Sequence, residues 1–97
     1  MYARVATFEG GEGEALRRAA REVNEQAASG PPPGVPAKGF TMLIDPDSGR
    51  SVSITLFETE EDLRQGDAAL NDMSPSGGDV GSRASVDTYE VGIDIRL

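Results

Sequence analysis

The 97-residue sequence contains no cysteine, no histidine and no tryptophan. Without cysteine there is no disulfide framework and no thiolate chemistry, a composition compatible with a reducing cytoplasm. Without histidine, the usual triads of nucleophilic catalysis and the commonest metal ligand are both missing. Positive charge is also scarce: Lys38 is the single lysine beside eight arginines, and seventeen acidic residues set the net charge at -8. Such a surface repels phosphate backbones and anionic headgroups, so neither nucleic acid nor a membrane is an expected partner. No apolar run approaches the roughly 20 residues that cross a bilayer, and Met1 to Phe8 is not a charged start followed by a long apolar stretch. A soluble, cytoplasmic protein is expected. The preference for arginine, with abundant glycine and alanine, fits the coding bias of a GC-rich bacterial genome, and salt adaptation would give a similar surface.

What is present suffices for one domain, residues 1–97, near the lower end of the size at which a single core is enough. A chain this small leaves much of its surface in water, so an association that buries one more apolar face would stabilise it appreciably.

Tyr2 to Phe8 alternates and is rich in β-formers, which predicts a strand stopped by Gly10 and Gly11. From Glu14 the period changes to that of a helix. Leu16, Ala19, Ala20, Val23 and Ala27 form one stripe, with Arg17, Arg18, Arg21, Glu22 and Glu25 opposite it. The spacing pairs Glu14 with Arg18, Arg18 with Glu22 and Arg21 with Glu25. Ser29 to Ala37, SGPPPGVPA, ends the helix and reads as a stiff connector, because proline removes donors and restricts the residue before it. Gly39 to Asp45 and Ser51 to Glu58 are two strands joined by Pro46, Asp47, Ser48 and Gly49, a turn with a proline-set start and a left-handed glycine. Thr59 is a predicted N-cap, with Glu60, Glu61 and Asp62 in the first turn of a second helix whose stripe is Leu63, Gly66, Leu70 and Met73. Ser74 to Ser82 reads as a mobile loop. Arg83 to Leu97 is predicted as one long strand, with Tyr89, Val91, Ile93, Ile95 and Leu97 on one face.

The order βαββαβ predicts a ferredoxin-like α+β domain, a four-stranded antiparallel sheet with two helices on one face. If Asp45 pairs with Arg50, one face of the hairpin carries Phe40, Met42, Ile44 and Phe57, and the other carries Leu43, Val52, Ile54 and Leu56. Two helices shield only one face of a sheet. The other calls for the same face of a second copy, which makes a homodimer through the sheet face, a dimeric α/β barrel.

The run from Gly34 to Phe57, GVPAKGFTMLIDPDSGRSVSITLF, followed by ETEEDL and ending in DTYEVGIDIRL, resembles the dimeric α/β-barrel proteins related to antibiotic biosynthesis monooxygenases. The resemblance implies a ferredoxin-like subunit, sheets packed face to face, and a small pocket between sheet and helices in each subunit. It also implies a range of activities, from cofactor-independent oxygenation of aromatic polyketides to haem degradation, besides proteins with no known activity. The haem-degrading branch typically uses a histidine, absent here. The oxygenase branch typically uses a tryptophan and an asparagine; Phe57 stands where such sequences often carry tryptophan, and Asn24 and Asn71 are the asparagines available.

Several local patterns have plainer readings. Gly10, Gly11 and Gly13 follow a strand, but Leu16 stands where a dinucleotide fingerprint needs glycine, so they read as a helix entry. Asp45 to Gly49 lacks the further ligands and flanking helices of a calcium loop and reads as a hairpin turn. Glu58, Glu60, Glu61 and Asp62 read as capping and dipole residues rather than paired catalytic carboxylates. Arg4 interrupts the first strand on the side of Tyr2 and Phe8, and there it needs an anionic partner, either a ligand carboxylate or Glu90 or Asp94. Phe40, Met42, Phe57 and Met73 are candidates to line an apolar cavity, and Tyr89 to donate a hydrogen bond to an oxygenated aromatic. With Arg4 and Asn24 they make the candidate ligand set, with no metal and no cofactor expected. Three functions follow: a pocketed dimer that binds or oxygenates a small apolar or aromatic molecule, a catalytically silent binding or interaction module, and a structural or stress-related dimer.

Overall fold

A computed structural model gives the architecture, and its described residues are 1–72 and 81–97. Met73 and nearly all of the Ser74 to Ser82 loop lie outside them. The elements run β1 (Tyr2–Glu9), α1 (Gly13–Gln26) with a 3-10 turn over Ala27–Ser29, β2 (Gly39–Asp45), β3 (Arg50–Phe57), α2 (Glu60–Asn71) and β4 (Ser82–Glu90). The strands form one antiparallel sheet in the order β2-β3-β1-β4. This is the expected ferredoxin-like α+β domain.

The hairpin register is the expected one, with Asp45 opposite Arg50 and Leu43 opposite Val52. Its turn is closed by Asp45, whose Oδ1 accepts from the backbone N–H of Asp47 at 3.2 Å and of Ser48 at 3.4 Å. Hydrogen bonding from Ser48, hydroxyl first and then backbone, holds the Asp45 carboxyl below its ordinary range. Gly49 has φ +76, and a Cβ there would run into the carbonyl oxygen of Gly11. The Gly11 N–H donates to the Gly49 carbonyl at 2.9 Å. The hairpin turn is thereby docked on the β1–α1 connection, which needs a residue without a side chain at Gly49.

Register and burial separate the two faces of the sheet. On the helix side lie Tyr2, Arg4, Ala6 and Phe8 of β1, opposite Phe57, Thr55, Ser53 and Ser51 of β3. Of these, Arg4, Ala6, Ser51, Thr55 and Phe57 are buried. Val35, Phe57 and Leu63 form the core, with Tyr2, Ala37, Ala69 and Leu70 packed against them. The other face carries Val5, Val52, Ile54, Leu56, Leu43 and Tyr89, the last two 53% and 56% exposed. Along β3, then, hydroxyls point toward the protein's own helices and aliphatic side chains point away from them.

α2 starts as expected: the Thr59 hydroxyl accepts from the Asp62 N–H at 3.1 Å, and Glu60, Glu61 and Asp62 fill the first turn. Replacing Thr59 with alanine should cost about 1 kcal/mol, readable as a lower denaturant midpoint with an unchanged slope.

Three local expectations are corrected. β4 stops at Glu90, where it runs off the end of its only neighbour: Glu90 is opposite Tyr2, and the Val91 N–H donates to the Met1 carbonyl at 2.9 Å. Beyond it Ile93 and Ile95 are 79% and 67% exposed. A strand needs a partner as well as an alternating pattern, and the described residues offer none there. On α1, Glu14 pairs with Arg17 and Arg21 at 3.7 and 3.9 Å in place of Arg18, contacts between exposed side chains that contribute little. The proline-rich connector also does more than span: its Val35 is buried in the core.

Candidate functional site

The helix side of the sheet is built from two adjacent rungs. Phe40, Thr55, Arg4 and Thr88 lie in one cross-strand row, and Met42, Ser53, Ala6 and Val86 in the next. Small side chains at the centre, Thr55, Ser53 and Ala6, are flanked by larger apolar ones on the outer strand β2.

Arg4 is the polar centre. The residue is 4% exposed, and its Nε donates to Oδ1 of Asp67 at 2.8 Å while Nη2 donates to Oδ1 of Asn71 at 2.9 Å. Asp67 and Asn71 are four apart on α2, so one helix face presents both acceptors to one arginine. From β4, Arg83 reaches the same helix end, donating through Nη1 to Oδ1 of Asn71 at 3.4 Å and through Nη2 to the Leu70 carbonyl at 3.3 Å. Arg4 therefore has the anionic partner it was expected to need, but on α2. Glu90 and Asp94 do not supply it, because Glu90 is opposite Tyr2 and exposed, and Asp94 lies past the end of β4.

The structure brings together four of the seven candidate residues. Arg4, Phe40, Met42 and Phe57 share the helix side, Phe40 exposed on the outer strand, Met42 half-buried and Phe57 fully buried under α2. Tyr89 is on the opposite face, beside Ala3, and Asn24 is exposed on α1. Met73 lies outside the described residues. The asparagine that does reach the polar centre is Asn71. Thr55, Ser53 and Asp67 carry no periodic apolar signal, and Asn71 stands out in the sequence only as one of two asparagines, so strand and helix patterning singles out none of the four. The trace that could have found Asp67 and Asn71 is their i, i+4 spacing on the helix that must cover a buried arginine. Among the described residues no group of three histidine, cysteine, aspartate or glutamate side chains is placed to hold a metal ion. No described helix is long and apolar enough to cross a membrane.

With this geometry in place, known proteins give a fold comparison. No protein-family model matches the sequence, and no curated protein matches it. Among solved structures, a crystal structure of an arginine-to-serine mutant of MhuD, with two manganese protoporphyrin IX molecules bound per active site, matches with a TM-score of 0.63. The match covers 100% of both chains at 19% identity. The two chains share a fold. That likeness extends from β1 to residue 97 and bears out the ferredoxin-like architecture as a whole.

Proposed function

We propose that the protein is a homodimer joined through the open sheet face, and that each subunit takes up a small apolar or aromatic molecule between sheet and helices. The observation that carries this reading is the inverted β3 strand. Ser51, Ser53 and Thr55 face the helices while Val52, Ile54 and Leu56 face away, the reverse of a monomer that buries its apolar side beneath its own helices. The aliphatic side gains a cover in a second copy, and on the helix side the half-buried Ser53, between Met42 and Ala6 on the rung next to Arg4, offers a polar contact to an occupant. Phe40 and Met42 form the apolar wall, and Arg4, held by Asp67 and Asn71, is the donor closest to a phenolic oxygen placed on this side. An electron-rich phenolate can react with oxygen directly, one oxygen atom entering the product and the other leaving as water with electrons drawn from the substrate.

The fold shared with a porphyrin-binding protein makes haem the group to test for fit. Haem iron takes an axial ligand from histidine, cysteine, tyrosine or methionine. Histidine and cysteine are absent here, and among the described residues Tyr2 is packed against the core, Tyr89 lies on the opposite face of the sheet, and Met42, on the helix side, offers only a weak thioether. These residues do not match a haem site with a strong axial ligand, and the proposal routes no step through one.

The reading is tested by titrating hydroxylated polycyclic aromatics into the protein and following oxygen uptake. Saturable binding is expected, with Phe40→Ala and Met42→Ala each weakening it about 10-fold while the melting temperature moves little. Variants that change only the melting temperature would identify these side chains as packing. Saturable binding without oxygen uptake would favour the second reading, a catalytically silent binding or interaction module, for which the absence of histidine and tryptophan speaks. Light scattering that finds a folded monomer at micromolar concentration would remove the dimer.

A further inference from the structure

We infer that Arg83 is a positioning residue of the site beside Arg4: from β4 it fixes Asn71 and the last turn of α2, and so sets the direction in which the buried Arg4 guanidinium points. The inference rests on the proposed ligand site and adds to it a residue that acts through Asn71 rather than on the ligand. Three observations carry it.

First, the pairing of β4 with β1 slips where Arg83 stands. Thr88 is opposite Arg4 and Val86 opposite Ala6, so regular alternation would put Ala84 on the helix side and turn Arg83 away from it. The register shifts between Thr7 and Phe8, β4 takes up an extra residue, and Arg83 becomes the partner of Phe8 on the helix side. A one-residue bulge of this kind re-aims the side chains beyond it. Arg83 and Arg4, on neighbouring strands, thereby reach the same end of α2.

Second, that helix end lacks a cation of its own. The first turn of α2 is acidic, as the helix dipole favours, but the last turn has no basic residue and the C-cap is Asp72. Arg83 supplies the positive charge from another element. Its Nη2 donates to the Leu70 carbonyl at 3.3 Å, across 13 positions of sequence, which ties the helix end to the sheet.

Third, Asn71 Oδ1 accepts from both arginines, from Arg4 Nη2 at 2.9 Å and from Arg83 Nη1 at 3.4 Å. An amide oxygen has two lone pairs, and here each meets a guanidinium. Two donors from two strands settle which end of the amide faces the sheet. With Nε on Asp67 and Nη2 on Asn71, α2 holds one edge of the planar Arg4 fork, and Nη1 is the nitrogen it leaves for a ligand oxygen. Once Asn71 turns, the fork is free to pivot on its bond to Asp67 and Nη1 loses its direction.

The test reads Arg4 directly by NMR in the full chain. The Arg4 Nε–H, bonded to Asp67, should exchange with solvent about 10-fold faster in Arg83→Met, while the amides of β1 and β3 keep their protection. Arg83→Lys returns the charge to the helix end but has one nitrogen for two acceptors, so it should recover most of the lost melting temperature and little of the slow exchange. In the Asn71→Ala background, where the link is already cut, Arg83→Met should change Arg4 exchange by less than about 2-fold. For the ligand, the probes are 2-naphthol and naphthalene, and the preference for the first should fall about 5-fold in Arg83→Met and in Arg83→Lys alike. Unchanged Arg4 exchange in Arg83→Met, full recovery of slow exchange by Arg83→Lys, or an undiminished effect in the Asn71→Ala background would overturn the inference and leave Arg83 as a cap on α2. Faster exchange beside an unchanged preference for 2-naphthol would overturn the role at the ligand site. A wild-type protein that binds neither probe would remove the ligand site itself, while Arg4 exchange would still decide what Arg83 does to Arg4.

Discussion

Replacing Gly66 with alanine should destabilise the protein by about 2 kcal/mol, even though the same change in an exposed helix stabilises by about 1 kcal/mol. Gly66 is buried in the middle of α2, directly over the Phe57 ring. A Cβ built on it overlaps Cε1 of that ring and lies 2.5 Å from Cζ, well inside van der Waals contact. Phe57 has no room to yield, because it is wholly buried among Val35 and Leu63. Either α2 lifts away from β3 or the ring leaves its rotamer, and both loosen the core at its centre. For a domain of this size the expected loss is a melting temperature roughly 8–16 °C lower. The attribution to the ring is checked by combining Gly66→Ala with Phe57→Leu. If the clash is the cause, the double variant should be more stable than the sum of the two single losses implies, by about 1 kcal/mol or more. Strict additivity would place the cost of Gly66→Ala elsewhere.

The same contact shows what the amino-acid sequence does and does not disclose. The periodicity of α2 put Gly66 on the buried stripe, and the alternation of the hairpin put Phe57 on one face and Val52, Ile54 and Leu56 on the other. The Asp-Pro-Asp-Ser-Gly turn set the register. All of these are local patterns, and the structure has them as read. What went unread depends on partners distant in the chain. Val35 has no periodic neighbours, since it stands among prolines, and its burial follows from where the connector crosses the core. The length of β4 was overread because an alternating run states which face is apolar but not whether a neighbouring strand is there to pair with. Arg4 was recognised as needing an acceptor, and two acidic residues near β4 were the nearest in pattern. The actual one, Asp67, lies 63 positions away on α2. Of the candidate site, its apolar wall was legible from strand patterning, whereas its polar centre comes from the crossing of α2 over β1.

That centre carries the second large effect. Replacing Asp67 with alanine should cost about 3 kcal/mol, and replacing Arg4 with methionine considerably less. The asymmetry follows from burial. Arg4 is 4% exposed, so removing Asp67 leaves a guanidinium out of water with its charge uncompensated. Methionine keeps the apolar stem in place and removes the charge together with its desolvation cost. The Asp67 side chain is 34% exposed, so after Arg4→Met its carboxylate can turn to solvent, and the expected figure for Asp67→Ala sits at the low end of the range for broken buried pairs. Asn71 would still hold one of the Arg4 donors in Asp67→Ala, which limits the loss further. The decisive measurement is Asp67→Ala made in the Arg4→Met background. There it should cost under about 1 kcal/mol, because the buried charge it would have orphaned is gone. If Asp67→Ala costs the same in both backgrounds, the 2.8 Å pair is incidental and Asp67 acts through α2 alone. The same cycle bears on the proposed ligand site. An arginine held by Asp67 and Asn71 against the sheet is already oriented before anything binds, so Asn71→Ala should weaken the binding of a phenolic ligand more than that of its deoxy analogue, through the lost orientation of Arg4.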